Sequence, residues 1–511
     1  MTNPEQRVWL ASILSAVILV GYAQVLTKTS RQTPPQSESP ALSKAPAQPR
    51  KIESPIPRLL AEEEPVVLES NSLRVELGKS LAAIRSVTLK EFEDLETKTS
   101  LKMGMRSGVL MAWLGETQAP WILTEQQLRR AVWKSGDSQE LLIELDERAP
   151  KLVLTLTSEN HSSTEQRIPV TAVAVWSRGD KMAGQYNMLE ASIKTTRTSS
   201  WQRSYLRYLE GAREPKIVPR GTSLVTLAER FFCQAIKLDP TAPATVSVIP
   251  SEQGTIAAEL KSSLVVPKES RASYDLEVYL GPRDFFHLRS VGFEQAFPIG
   301  FLGQIGLMLM VALKGIAALV RNYGMAVIVL AAGVTAALSP FTLISVRSMK
   351  RMQELQPRMD QLKKKHADDP KRMNKEVFAL FKEHKVSPLS GCLPMLLQLP
   401  VFFALWSAIS HVVELRGARF LWIKDLSLPD RLAKLPLGLD LNILPILMAA
   451  AMFMQTKLSQ PKVRQAGPNP FSGPLMSVIF GVMFYQVPAG LVLYWLTNSL
   501  VSVLWYKIAK V

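Results

Sequence analysis

The sequence predicts a polytopic α-helical membrane protein of six spans, with a β-sandwich domain on the side of the membrane away from its basic loops. Three observations predict it. Residues 473–506 run for 34 positions without a charged side chain. Roughly 20 residues cross a bilayer core, so this run is too long for one span. Pro488 and Gly490 near its middle supply the turn of a helical hairpin. Second, short runs in residues 59–290 alternate apolar and polar side chains with a period of two, the mark of strands with one buried face. Third, mean hydropathy is only +0.09 and net charge is +16, so lipid-facing and water-facing parts are segregated and the excess Lys and Arg orients the spans.

Each element follows in order. Residues 8–26 hold no charge over 19 positions, long enough to span. Two readings stand: a retained anchor over residues 1–26, favoured by the length of the run, or a cleaved signal peptide ending near Gly21-Tyr22-Ala23. Residues 27–58 contain seven prolines among Ser, Gln and Ala and read as an extended linker. The β-domain, residues 59–290, is carried by runs such as Leu73, Val75 and Leu77 against Arg74 and Glu76, and Tyr274, Leu276, Val278 and Leu280 against Asp275, Glu277 and Tyr279. Residues 223–237 lack that alternation and read as a helix packed on the sandwich. Residues 291–322 form the next unit; positions 297–320 are mostly apolar, broken by Gln304 and Lys314, and suit a span or an amphipathic helix lying in the interface. Spans are expected at 325–345, 390–413 and 441–456 and in the terminal hairpin, within a core of residues 323–511.

Residues 346–388 read as a water-facing helical hairpin. Met349, Met352, Leu355, Met359 and Leu362 form one apolar stripe; Met373, Val377, Leu380 and Phe381 form another after Asp369, an N-cap, and Pro370 at the first helical position. This loop carries twelve Lys or Arg against six acids, and residues 457–472 add Lys457, Lys462 and Arg464 without an acid. All basic regions share the cytoplasmic side only if 297–320 does not cross. That choice gives an interfacial helix, six spans, cytoplasmic termini and a β-domain outside. The basic face of the hairpin (Lys363, Lys364, Lys365, Lys371, Arg372) is either a solvated orientation signal or a docking surface for an acidic partner such as ribosomal RNA.

The chemistry is neutral. The two cysteines, Cys233 and Cys392, make no disulfide framework, the five histidines have no metal-ligand spacing, and no nucleotide, zinc-protease or serine-hydrolase motif occurs. A non-enzyme without cofactor, metal or catalytic residue is expected. The five spans after the β-domain hold no Asp, Glu, Lys, Arg or His between their ends, which argues against an ion-coupled transporter or channel, the alternative reading. What remains is Thr335, Ser339, Thr342, Gln398, Ser407, Ser410, Gln455, Gln486, Thr497, Asn498 and Ser502. Singly these are interhelical hydrogen-bonding groups worth about 0.6 kcal/mol each; together they could line a wet groove. The terminal hairpin leaves about 15 residues per arm, roughly 23 Å, short of a bilayer core of about 30 Å, so local thinning is expected.

Residues 385–406 (KVSPLSGCLPMLLQLPVFFALW), 413–427, 442–459 and 484–502 (FYQVPAGLVLYWLTNSLVS) closely resemble the YidC membrane-protein insertases of bacteria, with SMKRMQELQPRM (348–359) and NYG (322–324) in support. SYDLEVYLGPRD (273–284) extends a weaker likeness to the Gram-negative form with its periplasmic domain. The resemblance implies a five-helix insertase core in the inner membrane, a periplasmic β-supersandwich, and a hydrophilic groove open to cytoplasm and lipid but closed to the periplasm. It implies as partners nascent membrane proteins delivered by the ribosome, the Sec translocon and the lipid bilayer. It places Thr335, Ser339, Gln398 and Asn498 in the groove, and Met395, Phe402, Met483, Phe484 and Trp495 on or beside the apolar slide for a substrate helix. One departure stands out: Thr335 occupies the position where the family usually carries an arginine.

Overall fold

The computed structural model describes residues 64–80, 82–93, 98–103, 110–113, 120–177, 189–195, 206–209, 216–239, 242, 244–250, 255–297, 303–366, 369–384, 393–434, 440–459 and 473–508. The expected N-terminal anchor and proline-rich linker lie outside them.

The β-domain is wholly antiparallel. One layer runs, in spatial order, through strands Val66–Glu69, Leu73–Leu77, Ile84–Glu93, Met111–Trp113, Gln166–Ser177, Thr255–Val266 and Ala244–Pro250. The other runs Glu190–Thr195, Lys216–Ala228, Phe232–Leu238, Ser270–Pro282, Lys151–Asn160, Gln139–Leu145, Arg130–Ser135 and Ile122–Gln126. Strand Lys216–Ala228 joins the layers, pairing with Ala244–Pro250 through its first half and with Phe232–Leu238 through its second. The predicted alternation is visible in the burial of Leu73, Val75 and Leu77 and of Tyr274, Leu276 and Val278, which share one apolar core.

The expected helix at 223–237 is instead the hairpin between Lys216–Ala228 and Phe232–Leu238, closed where Glu229 N–H donates to Phe232 O at 3.0 Å. The reason is physical. Val225, Leu227, Phe232 and Ile236 face the sandwich core, while Leu224, Ala228, Cys233 and Ala235 face a second core shared with the helices. A strand buried on both faces loses the period-two signature and cannot be told from a buried helix by periodicity.

Glu76 illustrates how the solvent-side rows are tied. Ser86 Oγ donates to its carboxylate at 2.6 Å and Lys102 Nζ lies 3.0 Å away. The Ser86 hydrogen bond, aided by Lys102 and opposed by burial, holds Glu76 below the ordinary 4.5. A folded-state value below the unfolded one stabilises fully above about pH 4.5 and is lost as pH falls through the folded value. The β-domain's thermal midpoint is therefore expected to drop on acidification below pH 4.5, and Ser86→Ala is expected to flatten that dependence. An unchanged slope in the variant would refute the assignment.

Nine helices follow among the described residues. Helix α1 (Phe285–Ser290) is capped by Asp284, whose Oδ1 accepts from Phe286 and His287 N–H. Helix α2 (Gly303–Val320) ends at Arg321, whose positive φ of 55° turns the chain; Asn322 then caps α3 (Tyr323–Glu354) by accepting from Met325 N–H at 3.0 Å. At 32 residues, α3 is about 48 Å long and runs without a break past Ser345, the expected span boundary. Helices α4 (Gln356–Lys365) and α5 (Pro370–Glu383) form the hairpin, with Asp369 accepting from Lys371 and Arg372 N–H. Leu355 and Phe381 form its small core, flanked by Met352, Met359, Val377 and Leu380.

Helices α6 (Leu393–His411), α7 (Ile443–Ser459), α8 (Gly473–Met483) and α9 (Ala489–Ile508) complete the bundle. The terminal run folds as a hairpin, but its described arms are 11 and 20 residues rather than two of 15. Helix α8 stops at Met483, five residues before Pro488. Its described length is about 16 Å against about 30 Å for α9. Among the described residues, Gly303–Val320, Tyr323–Ser345 and Ala489–Ile508 are long and apolar enough to cross a membrane, and Ile443–Leu458 is a shorter apolar helix.

Candidate functional site

Helix α9 is the hub of the bundle. Tyr494, Asn498, Ser502 and Tyr506 follow one another at four-residue spacing. Each step turns the stripe by about 40°, so successive side chains meet different neighbours. Gln398 on α6 donates through Nε2 to Tyr494 Oη at 3.1 Å, Thr335 on α3 donates to Asn498 Oδ1 at 2.8 Å, and Tyr506 bonds Gln455 on α7. Ser502 instead donates to Asn498 O within its own helix. Three neutral polar pairs therefore tie α9 to three helices. In an apolar medium such pairs are retained because the alternative is an unsatisfied polar group.

The expected groove residues fall into two groups. Thr335 is buried, its hydroxyl lying 2.7 Å from Ala331 O as well as within reach of Asn498. Ser339, one turn on, donates back to Ala336 O. Gln398 and Asn498 are half-buried. The remaining expected residues centre on an aromatic cluster. Phe402 on α6 lies 6.1 Å from Phe484 and 5.1 Å from Trp495, and Phe480 stacks on Phe484 at 5.8 Å. Met483 takes no part and is 56% exposed; Met395 lies in α6, its side chain outside the described residues. Leu399 and Phe403 on α6 and Val478, Ile479 and Val482 on α8 are exposed apolar residues.

On the hairpin, Lys365, Lys371 and Arg372 are exposed, and Arg372 lies 3.5 Å from Glu376; the side chains of Lys363 and Lys364 lie outside the described residues. One ionisable group escaped the expectation of uncharged spans: His411 ends α6, its Nδ1 2.7 Å from Ser407 O and its ring against Phe297.

The end of the bundle nearest the β-domain is closed by a network that no sequence signal announced. Buried Asp430 accepts through Oδ2 from Ile443 N–H, Leu444 N–H and Trp422 Nε1–H, so a residue 13 positions upstream caps α7. Asn442, fully buried, donates to Tyr485 O and accepts from Arg431 N–H, and Tyr485 Oη donates to Asp440 O. Ala489 and Gly490 N–H donate to Leu428 and Leu426 carbonyls at 2.8 Å. A Cβ at Gly490 would sit 3.2 Å from Leu426 O, and the ring of Phe420 occupies the space a Cβ at Gly324 would need. The loop after α6 is thus pinned across the ends of α3, α7 and α9. The bundle is asymmetric along its length: a hydrogen-bonded lid at one end, a neutral polar stripe running away from it.

Residues 315–510 match the family model described as 60Kd inner membrane protein. That stretch holds the polar stripe, the aromatic cluster and the lid. Proteins named membrane protein insertase YidC match at 38% identity in Pelobacter propionicus, over 56% of this chain and 54% of that protein, and at 35% in Geotalea daltonii, over 57% and 54%. Over this stretch the chain is similar to the YidC insertases. It spans about half the length of these two relatives. A relative of the same name in Janthinobacterium sp. matches at 29% over 72% of this chain and 69% of that protein. A solved YidC insertase structure overlaps 86% of this chain and 92% of its own, at 18% identity and a TM-score of 0.38, too low a likeness to carry an argument. Family and apolar helices together make this a membrane protein of the bacterial inner membrane.

Proposed function

We propose that this chain inserts nascent membrane proteins and assists their folding, passing short hydrophilic tails through the space beside the α9 stripe while the apolar segment leaves into lipid. The observation that carries the reading is the set of neutral polar pairs, Thr335–Asn498 and Gln398–Tyr494, inside an otherwise apolar bundle capped at one end. A passage through the membrane would need no such lid. A groove that only lowers a barrier does.

The magnitudes are consistent with an unaided step. A substrate helix of about 20 residues gains roughly 6–12 kcal/mol in lipid at about 0.3–0.6 per residue. A tail with two charges opposes this by about 5–7 kcal/mol at the bilayer centre. The end states favour insertion; the groove and the short α8 arm lower what lies between them. Membrane potential adds about 2.3 kcal/mol per acidic charge moved outward per 100 mV.

In this reading the termini are cytoplasmic, the β-domain is periplasmic, and helix α2 lies in the interface, giving six spans with the N-terminal anchor. Contacts of the C-terminal half of α2 support the last point. Lys314 lies 2.9 Å from Glu414 in the turn after α6, and Asn322, just after the helix, donates to Arg419 O in the lid. That half of α2 thus meets the lid end of the bundle. The basic hairpin is proposed to dock the ribosome, and cooperation with the Sec translocon is proposed on the family's account alone.

The test uses proteoliposomes holding only this protein and a small single-span substrate with a short tail. The expected result is a tail protected from added protease well above the level in empty vesicles. Equal protection in both would overturn the proposal.

A further inference from the structure

The junction between β-domain and bundle concentrates charged side chains. Asp284 closes the β-domain and is buried; with Oδ1 it caps α1, and with Oδ2 it accepts from Lys314 Nζ at 2.7 Å. The same ammonium lies 2.9 Å from Glu414 Oε1, in the turn that follows α6. Beside them Arg283 pairs with Glu190 at 2.7 Å, Arg230 donates to the carbonyls of Ser410 and Ser427, and Arg416 donates to Glu93 O. Lys314 is therefore shared by the β-domain, helix α2 and the lid.

Helix α2 needs such a fixture. Leu309, Met310, Leu313 and Ala317 are buried against the bundle, and Gly306 lets it approach Ala404 O to the distance at which a Cβ would stand 3.1 Å away. Yet Ile305, Met308, Val311 and Leu319 form a second, exposed apolar face. With apolar side chains on two faces, burial alone does not fix the helix's roll about its own axis. A charged group on the flank does, because a lysine held by two carboxylates can be satisfied in one orientation only.

We propose that Lys314 is a positioning residue that sets the roll of α2, and through it the seating of the β-domain, so that Ile305, Met308, Val311 and Leu319 meet lipid. The inference deepens the insertase reading and rests on its placement of α2 in the interface. The groove's lid hangs from the same fixture through Glu414, so loosening Lys314 loosens the floor against which a tail is passed.

The experiment uses the full chain in nanodiscs and proteoliposomes, with Cys233→Ala and Cys392→Ala and single spin-labelled cysteines at Ile305, Met308, Val311, Gly315 and Leu319. Oxygen and nickel-chelate collision rates report depth. The expected wild-type result is a profile without a gradient along the helix: 308, 315 and 319 lie within about 40° of one another on the exposed face and share one depth, while 305 and 311 flank them on opposite sides. In Lys314→Met the depths of 305 and 311 should shift in opposite directions and the insertion rate should fall about tenfold; Lys314→Arg should restore both, and Glu414→Gln should give a partial change. A steady depth gradient from 305 to 319 in wild type, about 21 Å for a helix on end, would overturn the interfacial placement. A flat wild-type profile left unmoved by Lys314→Met would overturn the positioning role alone.

Discussion

Replacing Arg283 by methionine is expected to cost about 3–5 kcal/mol of β-domain stability, the usual penalty for leaving one member of a buried ion pair without its partner. Arg283 and Glu190 are 3% and 4% exposed and 2.7 Å apart. Water does not reach the carboxylate once the guanidinium is gone, so the loss exceeds anything a surface pair produces. The pair is also imperfectly satisfied, since Arg283 Nε has no hydrogen-bond partner among the described residues. Arg283→Met with Glu190→Leu should therefore recover most of the loss, because the two groups contact each other and their effects are coupled. Thermal unfolding of the detergent-solubilised full chain measures it. A single variant within about 1 kcal/mol of wild type, or a double variant no better than the single, would show that the pair is not a desolvated unit.

Legibility from sequence followed exposure. The outer strands announced themselves because one face met water, as at Leu73, Val75 and Leu77. The 223–237 hairpin did not, because the helical bundle covers its second face. The turn at Val487-Pro488 was legible from its breakers, but unequal arms were not: where α8 stops depends on Asn442 and Tyr485 holding the chain beyond it. At the site, Thr335, Gln398 and Asn498 were visible as polar residues in apolar runs. Tyr494 and Tyr506 are less legible as members of a stripe, because tyrosine is ordinary in a membrane helix, although their four-residue spacing with Asn498 and Ser502 is in the sequence. Asp430 left no local trace at all. It caps a helix 13 residues away, and only the fold brings them together.

Placing arginine at position 335 is expected to make insertion depend on tail charge, where the present chain should be nearly indifferent. Among the described residues the stripe offers tails only neutral partners: the Thr335 hydroxyl, the Asn498 and Gln398 amides, and the Tyr494 hydroxyl. A guanidinium about 6 Å from a tail carboxylate in a watery notch contributes on the order of 1 kcal/mol, roughly fivefold in rate, and more where the notch is drier. The sign is set by the tail. Thr335→Arg should speed tails bearing two aspartates by about fivefold or more and slow tails bearing two lysines by a similar factor, while neutral tails change little. The hydrogen-bond partner is kept, because Asn498 Oδ1, which now accepts from Thr335, can accept from the guanidinium instead. Thr335→Val separates the two roles of the site. It removes the donor to Asn498 without adding charge, so all tails should slow together as α3 and α9 lose a shared bond. Initial rates for the three tails in proteoliposomes decide the matter. If the ratio of acidic to basic rates is the same for the wild-type protein and for Thr335→Arg, the tail does not pass this position, and the stripe on α9 is packing rather than path.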